Sequence, residues 1–207
     1  MLIEEQVQGI DLVLNTNEEV FSPTAVDKGT RAMLSFVEFK EGDKVLDLGC
    51  GCGVVGILVA KQIGAENVVM CDVSENAVQL SKQNAVANGV DGVTIRLSDG
   101  LRDISENGFT LILSNPPYHT DFAVAKEFIE DGFKKLALGG KMIMVTKRLD
   151  WYRNKLSSVF GGVTVREKDG YYVFFAEKRG NYKPKKEKKN EQIMSKKLQR
   201  KYGRKKA

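Results

Sequence analysis

This 207-residue chain has few cysteines, a single histidine and no long apolar run. No stretch of 18 apolar residues occurs, so we expect no transmembrane helix. The first residues, MLIEEQVQG, lack the charged and then apolar pattern of a secretion signal. The length suits one domain with a sizeable core and an additional short segment.

The three cysteines, Cys50, Cys52 and Cys71, do not have the spacing of a disulfide framework. All three lie in or beside one glycine-rich segment, and we therefore expect a reduced, cytoplasmic protein. The pair Cys50-x-Cys52 has no second pair of ligands, so we expect no metal site.

Acidic residues outnumber basic ones in most of the chain, and basic residues dominate at its end. The chain has 32 Lys and Arg and 27 Asp and Glu. Residues 178–207 hold 14 of the basic residues and two acidic ones, so this segment carries +12 and residues 1–177 carry −7. We predict a folded domain at 1–177 and a basic tail at 178–207. Such an arm suits RNA phosphates more than a membrane surface, and a solvated, solubilising tail is the alternative.

Apolar periodicity predicts an α/β fold. Strand and helix patterns alternate five times, which predicts a parallel sheet covered by helices on both faces. Asp169-Gly170 between two apolar runs predicts a closing hairpin that adds an antiparallel strand. We also predict a strand at 10–14 that pairs with a strand near Val20 and Phe21. A helix at 122–136 is predicted to end at Gly139-Gly140.

A glycine-rich turn between a predicted strand and a predicted helix reads D-L-G-C-G-C-G, from Asp47 to Gly53. Its three glycines permit a tight turn and a close approach of ligand to backbone, and the helix start supplies N–H groups. Asp47 would repel a pyrophosphate and suits a cationic or amine-bearing cofactor. The second strand ends at Asp72, which is 19 residues after Gly53, where an acidic residue binds ribose hydroxyls.

The segments V-L-D-L-G-C-G-C-G and V-V-M-C-D-V-S resemble the class I S-adenosylmethionine (SAM) methyltransferases. The resemblance implies a doubly wound, Rossmann-like, mainly parallel seven-stranded sheet with an antiparallel closing strand. It also implies SAM as the cofactor, with these binding residues: Asp47, Gly49, Gly51, Gly53, Asp72, Val73, Asp99 and Asn115. A dinucleotide dehydrogenase is the competing interpretation, and it is disfavoured because the dinucleotide fingerprint is G-x-G-x-x-G.

A second motif, Asn115-Pro116-Pro117-Tyr118, follows the fourth predicted strand. Its prolines fix the backbone and remove two donors. The Asn115 side-chain oxygen and the Pro116 carbonyl can then accept both hydrogens of one planar amino group, which turns its lone pair towards a methyl donor. Tyr118 offers a ring on which a flipped base stacks. The motif resembles the N-P-P-[Y/F/W] of methyltransferases that act on conjugated amino groups, and a rigid turn is the alternative.

His119, the only histidine, extends this motif to N-P-P-Y-H. With V-F-S-P-T-A-V-D-K-G-T upstream and G-Y-Y-V-F-F-A-E-K downstream, it resembles the small methyltransferase domain family of ribosomal RNA guanine-N2 methyltransferases. The resemblance implies methylation of an exocyclic amino group of an RNA base, with guanine N2 of ribosomal RNA favoured. Adenine-N6 methylation of RNA, protein glutamine methylation and a non-catalytic RNA-binding assembly role are the alternatives. Two-domain members carry a degenerate N-terminal copy, which we expect to be absent here.

Overall fold

The computed structural model of the chain describes residues 1–18, 24–116 and 122–180. In these ranges the strands are β1 (Leu2–Val7), β2 (Ile10–Asn15), β3 (Val45–Leu48), β4 (Val68–Asp72), β5 (Thr94–Leu97), β6 (Phe109–Ser114), β7 (Leu136–Thr146), β8 (Thr164–Lys168) and β9 (Tyr171–Glu177). The α-helices are α1 (Lys28–Leu34), α2 (Val54–Ile63), α3 (Glu75–Ala87), α4 (Phe122–Lys135) and α5 (Leu149–Phe160). None of these helices is long and apolar enough to cross a membrane.

A seven-stranded sheet with the order β5-β4-β3-β6-β7-β9-β8 forms the centre of the molecule. The neighbours from β5 to β7 are parallel, whereas β9 is antiparallel to both β7 and β8. The predicted mainly parallel sheet with one antiparallel strand is therefore confirmed. The strand order reverses between β3 and β6, and ligands of such sheets bind at the carboxyl ends of the strands beside this point.

Both faces of the sheet are covered, which explains why its central strands are apolar almost throughout. The hairpin β1–β2, α1 and α2 contribute to a core on one face. Helices α4 and α5 contribute to a second core on the other face. Side chains of β3 alternate between the two, so Val45 belongs to the first core and Leu46 and Leu48 belong to the second. Asp47 is the buried polar residue between them.

The amino-terminal hairpin has a different partner strand from the predicted one. The predicted strand at 10–14 is present as β2, and it pairs with β1 across a turn at Gln8 and Gly9. The predicted partner near Val20 and Phe21 lies outside the described residues. β1 was missed because its sequence, LIEEQV, has three successive polar residues, and its side chains alternate between exposed and more buried positions.

Gly139 and Gly140 do not end a helix, contrary to the prediction. Helix α4 ends at Lys135 and β7 begins at the next residue, so both glycines lie inside a strand. The Gly139 N–H donates to the Lys178 carbonyl and the Lys178 N–H donates to the Gly140 carbonyl, both at 2.8 Å. A Cβ on Gly140 would lie 2.7 Å from the Phe109 carbonyl oxygen, so close backbone packing requires glycine there. The predicted alternation is also interrupted once, because β5 is followed by turns rather than a described helix.

Two asparagines attach the hairpin to the body of the protein: Asn84 lies in the last turn of α3, and Asn88 directly follows the end of this helix. The Asn84 side chain accepts from the Asn15 N–H at 2.6 Å and donates to the Asn15 carbonyl at 2.9 Å. Asn88 makes the same two bonds with Val13, at 3.1 and 2.7 Å. Asn84 Nδ2 also donates to the Cys52 carbonyl at 2.8 Å. The hairpin, α3 and the glycine-rich loop are therefore joined by direct hydrogen bonds.

Candidate active site

A cavity of about 390 Å³ at the carboxyl ends of β3, β4 and β6 collects most of the predicted site residues. Its size is within the range of small-molecule sites. The predicted residues that line it are Asp47, Gly49, Gly51, Asp72, Val73, Asp99, Asn115 and Pro116. Gly53 does not line it, and Pro117, Tyr118 and His119 lie outside the described residues. A larger groove of about 540 Å³, beside Leu111 and Arg166, contains none of the predicted residues.

The glycine-rich loop is shaped by bonds to the neighbouring strand β4. The Gly49 and Cys50 N–H groups both donate to the Cys71 carbonyl, at 2.9 and 3.0 Å. Gly51 has φ +57°, and a Cβ built on it would meet no atom within 4 Å, as expected for a backbone that borders open space. A positive φ favours glycine here, so the loop brings bare backbone to the cavity wall.

Gly53 allows α2 to pack closely against β4 and does not line the cavity. It is the N-cap of α2 with φ +95°. A Cβ there would lie 2.9 Å from Met70 Cε and 3.0 Å from Ile57 Cδ1. Glycine is needed at this position because α2 approaches β4 closely, which the spacing of the glycines alone did not reveal.

Asp47 is a buried carboxylate in the cavity wall, with 3 % of its surface exposed. Its Oδ2 accepts a hydrogen bond of 2.9 Å from the Gly56 N–H at the start of α2. Burial raises the pKa of Asp47 from 3.8 to about 7, the charge of Asp72 adds to the rise, and the Gly56 bond opposes it. Ionising this carboxylate in its buried position is unfavourable, and a nearby cation would offset that cost. This wall of the cavity therefore favours a positively charged ligand.

Asp72, at the tip of β4, is held rigidly by the backbone. Its Oδ2 accepts from the Gly51 N–H and its Oδ1 accepts from the Ser74 N–H, both at 2.9 Å. The next residue, Val73, is 68 % exposed although apolar. A fixed carboxylate beside an exposed apolar side chain suits a ligand that has hydroxyl groups next to a flat ring.

Asp99 also borders the cavity, but its carboxylate is directed to a neighbouring cation. Its Oδ2 accepts from Arg102 Nη1 at 2.6 Å, and Arg102 also binds Glu127 at 2.9 Å. The Asp99 side chain is 61 % exposed. A ligand group that binds Asp99 would therefore compete with Arg102.

The three cysteines are buried thiols. Burial raises the pKa of Cys71 to about 12, and it raises the pKa values of Cys50 and Cys52 as well, with the charge of Asp47 adding to each rise. They are therefore protonated near neutral pH. Across the described ranges, no group of three His, Cys, Asp or Glu residues is arranged to hold a metal ion.

Asn115, directly after β6, is oriented by two residues of the segment that leads into α1. Its Nδ2 donates to Asp27 Oδ2 at 2.8 Å and to Thr30 Oγ1 at 3.1 Å. Asp27 Oδ2 also accepts from the Thr30 N–H at 3.0 Å and so caps α1. Asp27 and Thr30 belong to the V-F-S-P-T-A-V-D-K-G-T segment that carries part of the family resemblance, but neither residue was predicted to bind Asn115. The spacing D-x-x-T before a helical pattern indicates a capping residue, but nothing local indicates the bond to Asn115, 88 residues away.

The fold and the cavity together define a class of protein. An antiparallel strand inserted between β7 and β8, and a cavity with two strand-tip carboxylates beside the reversal of strand order, are the features of a class I methyltransferase fold. The chain belongs to the methyltransferase small domain family, whose model matches residues 11–175. The resemblance drawn from the sequence is thereby confirmed.

Similar proteins of this family include ribosomal RNA enzymes. The ribosomal RNA small subunit methyltransferase C of Serratia proteamaculans (strain 568) is 33 % identical over 175 residues, which cover 83 % of this chain and 50 % of that protein. The YbxB protein of Bacillus subtilis (strain 168) is 33 % identical over 174 residues, covering 81 % of this chain and 87 % of YbxB. This chain thus spans about half the length of the methyltransferase C proteins and most of the length of YbxB.

Solved structures have the same fold. The T. thermophilus 16S rRNA N2 G1207 methyltransferase (RsmC), in complex with AdoMet and guanosine, superimposes with a TM-score of 0.80 at 26 % identity. The match covers 86 % of this chain and 50 % of that one. TrmN from Thermus thermophilus superimposes with a TM-score of 0.61 at 23 % identity, over 71 % of this chain and 47 % of that chain, and is similar in fold.

Proposed function

We propose that this protein is a SAM-dependent methyltransferase of an exocyclic amino group in an RNA base, with guanine N2 of ribosomal RNA as the favoured target. The observation that carries the proposal is that Asn115 and Pro116 line the same cavity as Asp47 and Asp72. The proposed amine acceptors and the residues proposed to hold a cationic, ribose-bearing cofactor would thereby be adjacent. The family, and the ribosomal RNA enzymes among the similar proteins, support the RNA substrate.

The residues of the cavity fit SAM. The buried carboxylate of Asp47 suits a positively charged methionine portion, because the cation offsets the unfavourable burial of the ionised form. Asp72 is fixed where it can accept from ribose hydroxyls, and Val73 offers apolar surface to an adenine ring. Gly49 and Gly51 would let the cofactor approach the backbone. In the proposal, Gly53 acts indirectly by allowing α2 to pack, and Asp99 binds the adenine amino group once Arg102 is displaced.

The residues after β6 would orient the amine. SAM, when bound, supplies the methyl group. The Asn115 amide oxygen and the Pro116 carbonyl oxygen would each accept one hydrogen of the amino group and draw its nitrogen out of conjugation with the ring. A strong general base is unnecessary, because the amine can lose a proton after attack. Tyr118 would stack against the base, and this part of the proposal concerns a residue outside the described ranges.

The proposal includes the division of the chain and its RNA contact. Strand β9 ends at Glu177 and the family match ends at residue 175, which support a catalytic domain at 1–177. The basic segment at 178–207 would add sequence-independent affinity for RNA phosphates. A cytoplasmic location accords with this substrate and with three free cysteines in the described ranges.

The test is methyl transfer from labelled SAM to separated rRNA, tRNA and protein from cells that lack this gene. We expect label in one rRNA species and N2-methylguanosine after digestion. N6-methyladenosine would retain the mechanism and change the base, whereas label in protein alone would overturn the RNA assignment. Naked rRNA and ribosomal subunits are both tested, because either can be the form that an rRNA methyltransferase accepts. A reaction without the enzyme gives the background label, and the Asn115→Ala variant should give label close to that background.

A further inference from the structure

Asp27 and Thr30 bind the same atom of Asn115, and we call these two residues the amide clamp. The amide clamp stands beside the cavity, which Asp27, Thr30 and Asn115 all line. Its two contacts to Asn115 Nδ2 measure 2.8 and 3.1 Å. Thr30 is buried, with 8 % of its surface exposed, so its contact is shielded from water.

The chemistry of the clamp decides which way the Asn115 amide faces. An amide side chain can turn by 180° and exchange its nitrogen, a donor, with its oxygen, an acceptor. An ionised Asp27 carboxylate only accepts, so it attracts the nitrogen and repels the oxygen. Thr30 can donate or accept and therefore cannot make this choice alone. The clamp thus selects the orientation in which the amide oxygen lies on the side away from Asp27.

The segment that carries the clamp is itself fixed to the fold. Asp27 caps α1 through the Thr30 N–H, and α1 packs against β7 and β9. Glu5 of β1 accepts from the Val26 N–H at 3.3 Å and forms an ion pair with Arg31 of α1. The position of the clamp is therefore set on both sides of Asp27.

We propose that Asp27 and Thr30 are positioning residues that hold the Asn115 amide with its oxygen directed to the amino group of the substrate. The inference rests on the proposed function and extends it to two residues that do not touch the reacting amine. In the reversed orientation, Asn115 would present two N–H donors to an amine that itself needs acceptors. The clamp therefore acts on kcat, by raising the fraction of enzyme that has the productive amide orientation.

Thr30→Val and Asp27→Ser test the two halves of the clamp. Valine has the shape of threonine but lacks the oxygen that accepts from Asn115. Serine retains an oxygen that can cap α1, but it has no carboxylate to accept from Asn115. Loss of a bond to a neutral partner should lower kcat about 3- to 10-fold, and loss of the charged partner about 10- to 100-fold. The Kd for SAM and the midpoint of thermal unfolding should remain close to those of the wild type.

Asp43 and Thr110 provide a matched control. They are also an Asp–Thr pair, with Thr110 Oγ1 donating to Asp43 Oδ1 at 2.7 Å, and they lie at the amino ends of β3 and β6, whereas the cavity lies at the carboxyl ends. Asp43→Ser and Thr110→Val should leave kcat within about twofold of the wild type. If the clamp variants also stay within twofold, or if they change only SAM affinity or unfolding, the inference is wrong.

Exchanging the side chains of Asp27 and Asn115 distinguishes a positioning role from a merely structural one. Asn115→Asp brings two carboxylates face to face and should remove activity. Adding Asp27→Asn restores a donor–acceptor pair with the roles reversed, and one oxygen of the new carboxylate remains on the side of the substrate. The double variant should exceed Asn115→Asp at least about tenfold in kcat. A double variant no more active than Asn115→Asp would overturn the inference.

A measurement without substrate separates this inference from the proposed function. The side-chain N–H signals of Asn115, assigned by their absence in Asn115→Asp, should exchange slowly with solvent in the wild type. Thr30→Val and Asp27→Ser should accelerate this exchange while Asp43→Ser does not. If the wild type methylates no RNA, the proposed function fails, and accelerated exchange in the clamp variants would still support the clamp. Unchanged exchange would overturn the clamp even in an active enzyme.

Discussion

Replacing Asp47 with asparagine should make the protein more stable and weaken its binding of SAM. Asparagine retains an oxygen that can accept from the Gly56 N–H, but it removes the charge that burial makes costly. The rise in the pKa of Asp47 from 3.8 to about 7 corresponds to about 4 kcal/mol of unfavourable free energy when the group is ionised in the folded protein. The same charge is the feature that would attract a cationic cofactor.

The sign of the pH dependence follows from the direction of the shift. Because the pKa of Asp47 is raised on folding, its contribution to stability is present in full below pH 3.8 and is lost as the pH rises through about 7. The advantage of Asp47→Asn over the wild type should therefore increase by about 2 to 3 kcal/mol between pH 5 and pH 8. Comparing the variant with the wild type at each pH cancels the titration of the other groups.

Urea unfolding of the unliganded wild type and variant at pH 5 and pH 8 measures this difference, and calorimetric titration with SAM measures affinity. Wild-type affinity should rise about fivefold from pH 6 to pH 7 as Asp47 ionises, and that of Asp47→Asn should not. Asp43→Asn, just before the amino end of β3, is the control. A variant that is less stable than the wild type at pH 8, or a stability difference independent of pH, would refute this account of Asp47.

The remaining predictions concern the amine site, the tail and the loop. Asn115→Ala should lower kcat at least about 100-fold and leave the Kd for SAM within about threefold, as measured by single turnover and calorimetry; full activity would contradict the proposed mechanism. Removal of residues 179–207 should weaken RNA binding and flatten its dependence on salt in filter binding; an unchanged slope would exclude the tail as the RNA contact. Gly51→Ala and Gly53→Ala should both destabilise the fold in urea unfolding, because both residues have a positive φ, but Gly53→Ala should do so more strongly, because its Cβ would also crowd Met70 and Ile57. Gly51→Ala should in addition weaken SAM binding; equal effects of the two variants on folding would contradict the distinction.

Most of the sheet could be predicted from sequence because its signals are local. The strands β3, β4 and β6 consist mostly of apolar residues, as expected when both faces are covered. Asp169-Gly170 fixed the last hairpin, and both residues have the positive φ that a two-residue turn requires. These features depend on a few neighbouring residues, so no knowledge of distant contacts was needed.

The errors in the predicted fold arose where distant contacts override a local signal. Gly139-Gly140 is a normal end for a helix, but the Lys178 backbone pairs with it and extends β7. Strand β1 has a weak pattern because its side chains are mostly outside the core, and it is defined by its pairing with β2. In both cases the partner is identified only once the sheet is assembled.

Some features of the candidate site could be predicted from local sequence, and others depend on distant contacts. The positions of Asp47 and Asp72 at strand ends followed from spacing, and both line the cavity. The packing role of Gly53 and the bond between Asp27 and Asn115 join elements far apart in the chain, and no pattern of neighbouring residues encodes them. The raised pKa of Asp47 is likewise a property of burial in the finished fold.

The asparagines that attach the hairpin also occupy backbone groups along one edge of a β-strand. β2 has β1 on one side, and its other side would offer unpaired backbone groups to a strand of another molecule. Asn84 and Asn88 each supply one donor and one acceptor to alternate residues of β2, as an adjacent strand would do. The two side chains therefore use the backbone groups of Val13 and Asn15 that a strand of another molecule would need for pairing.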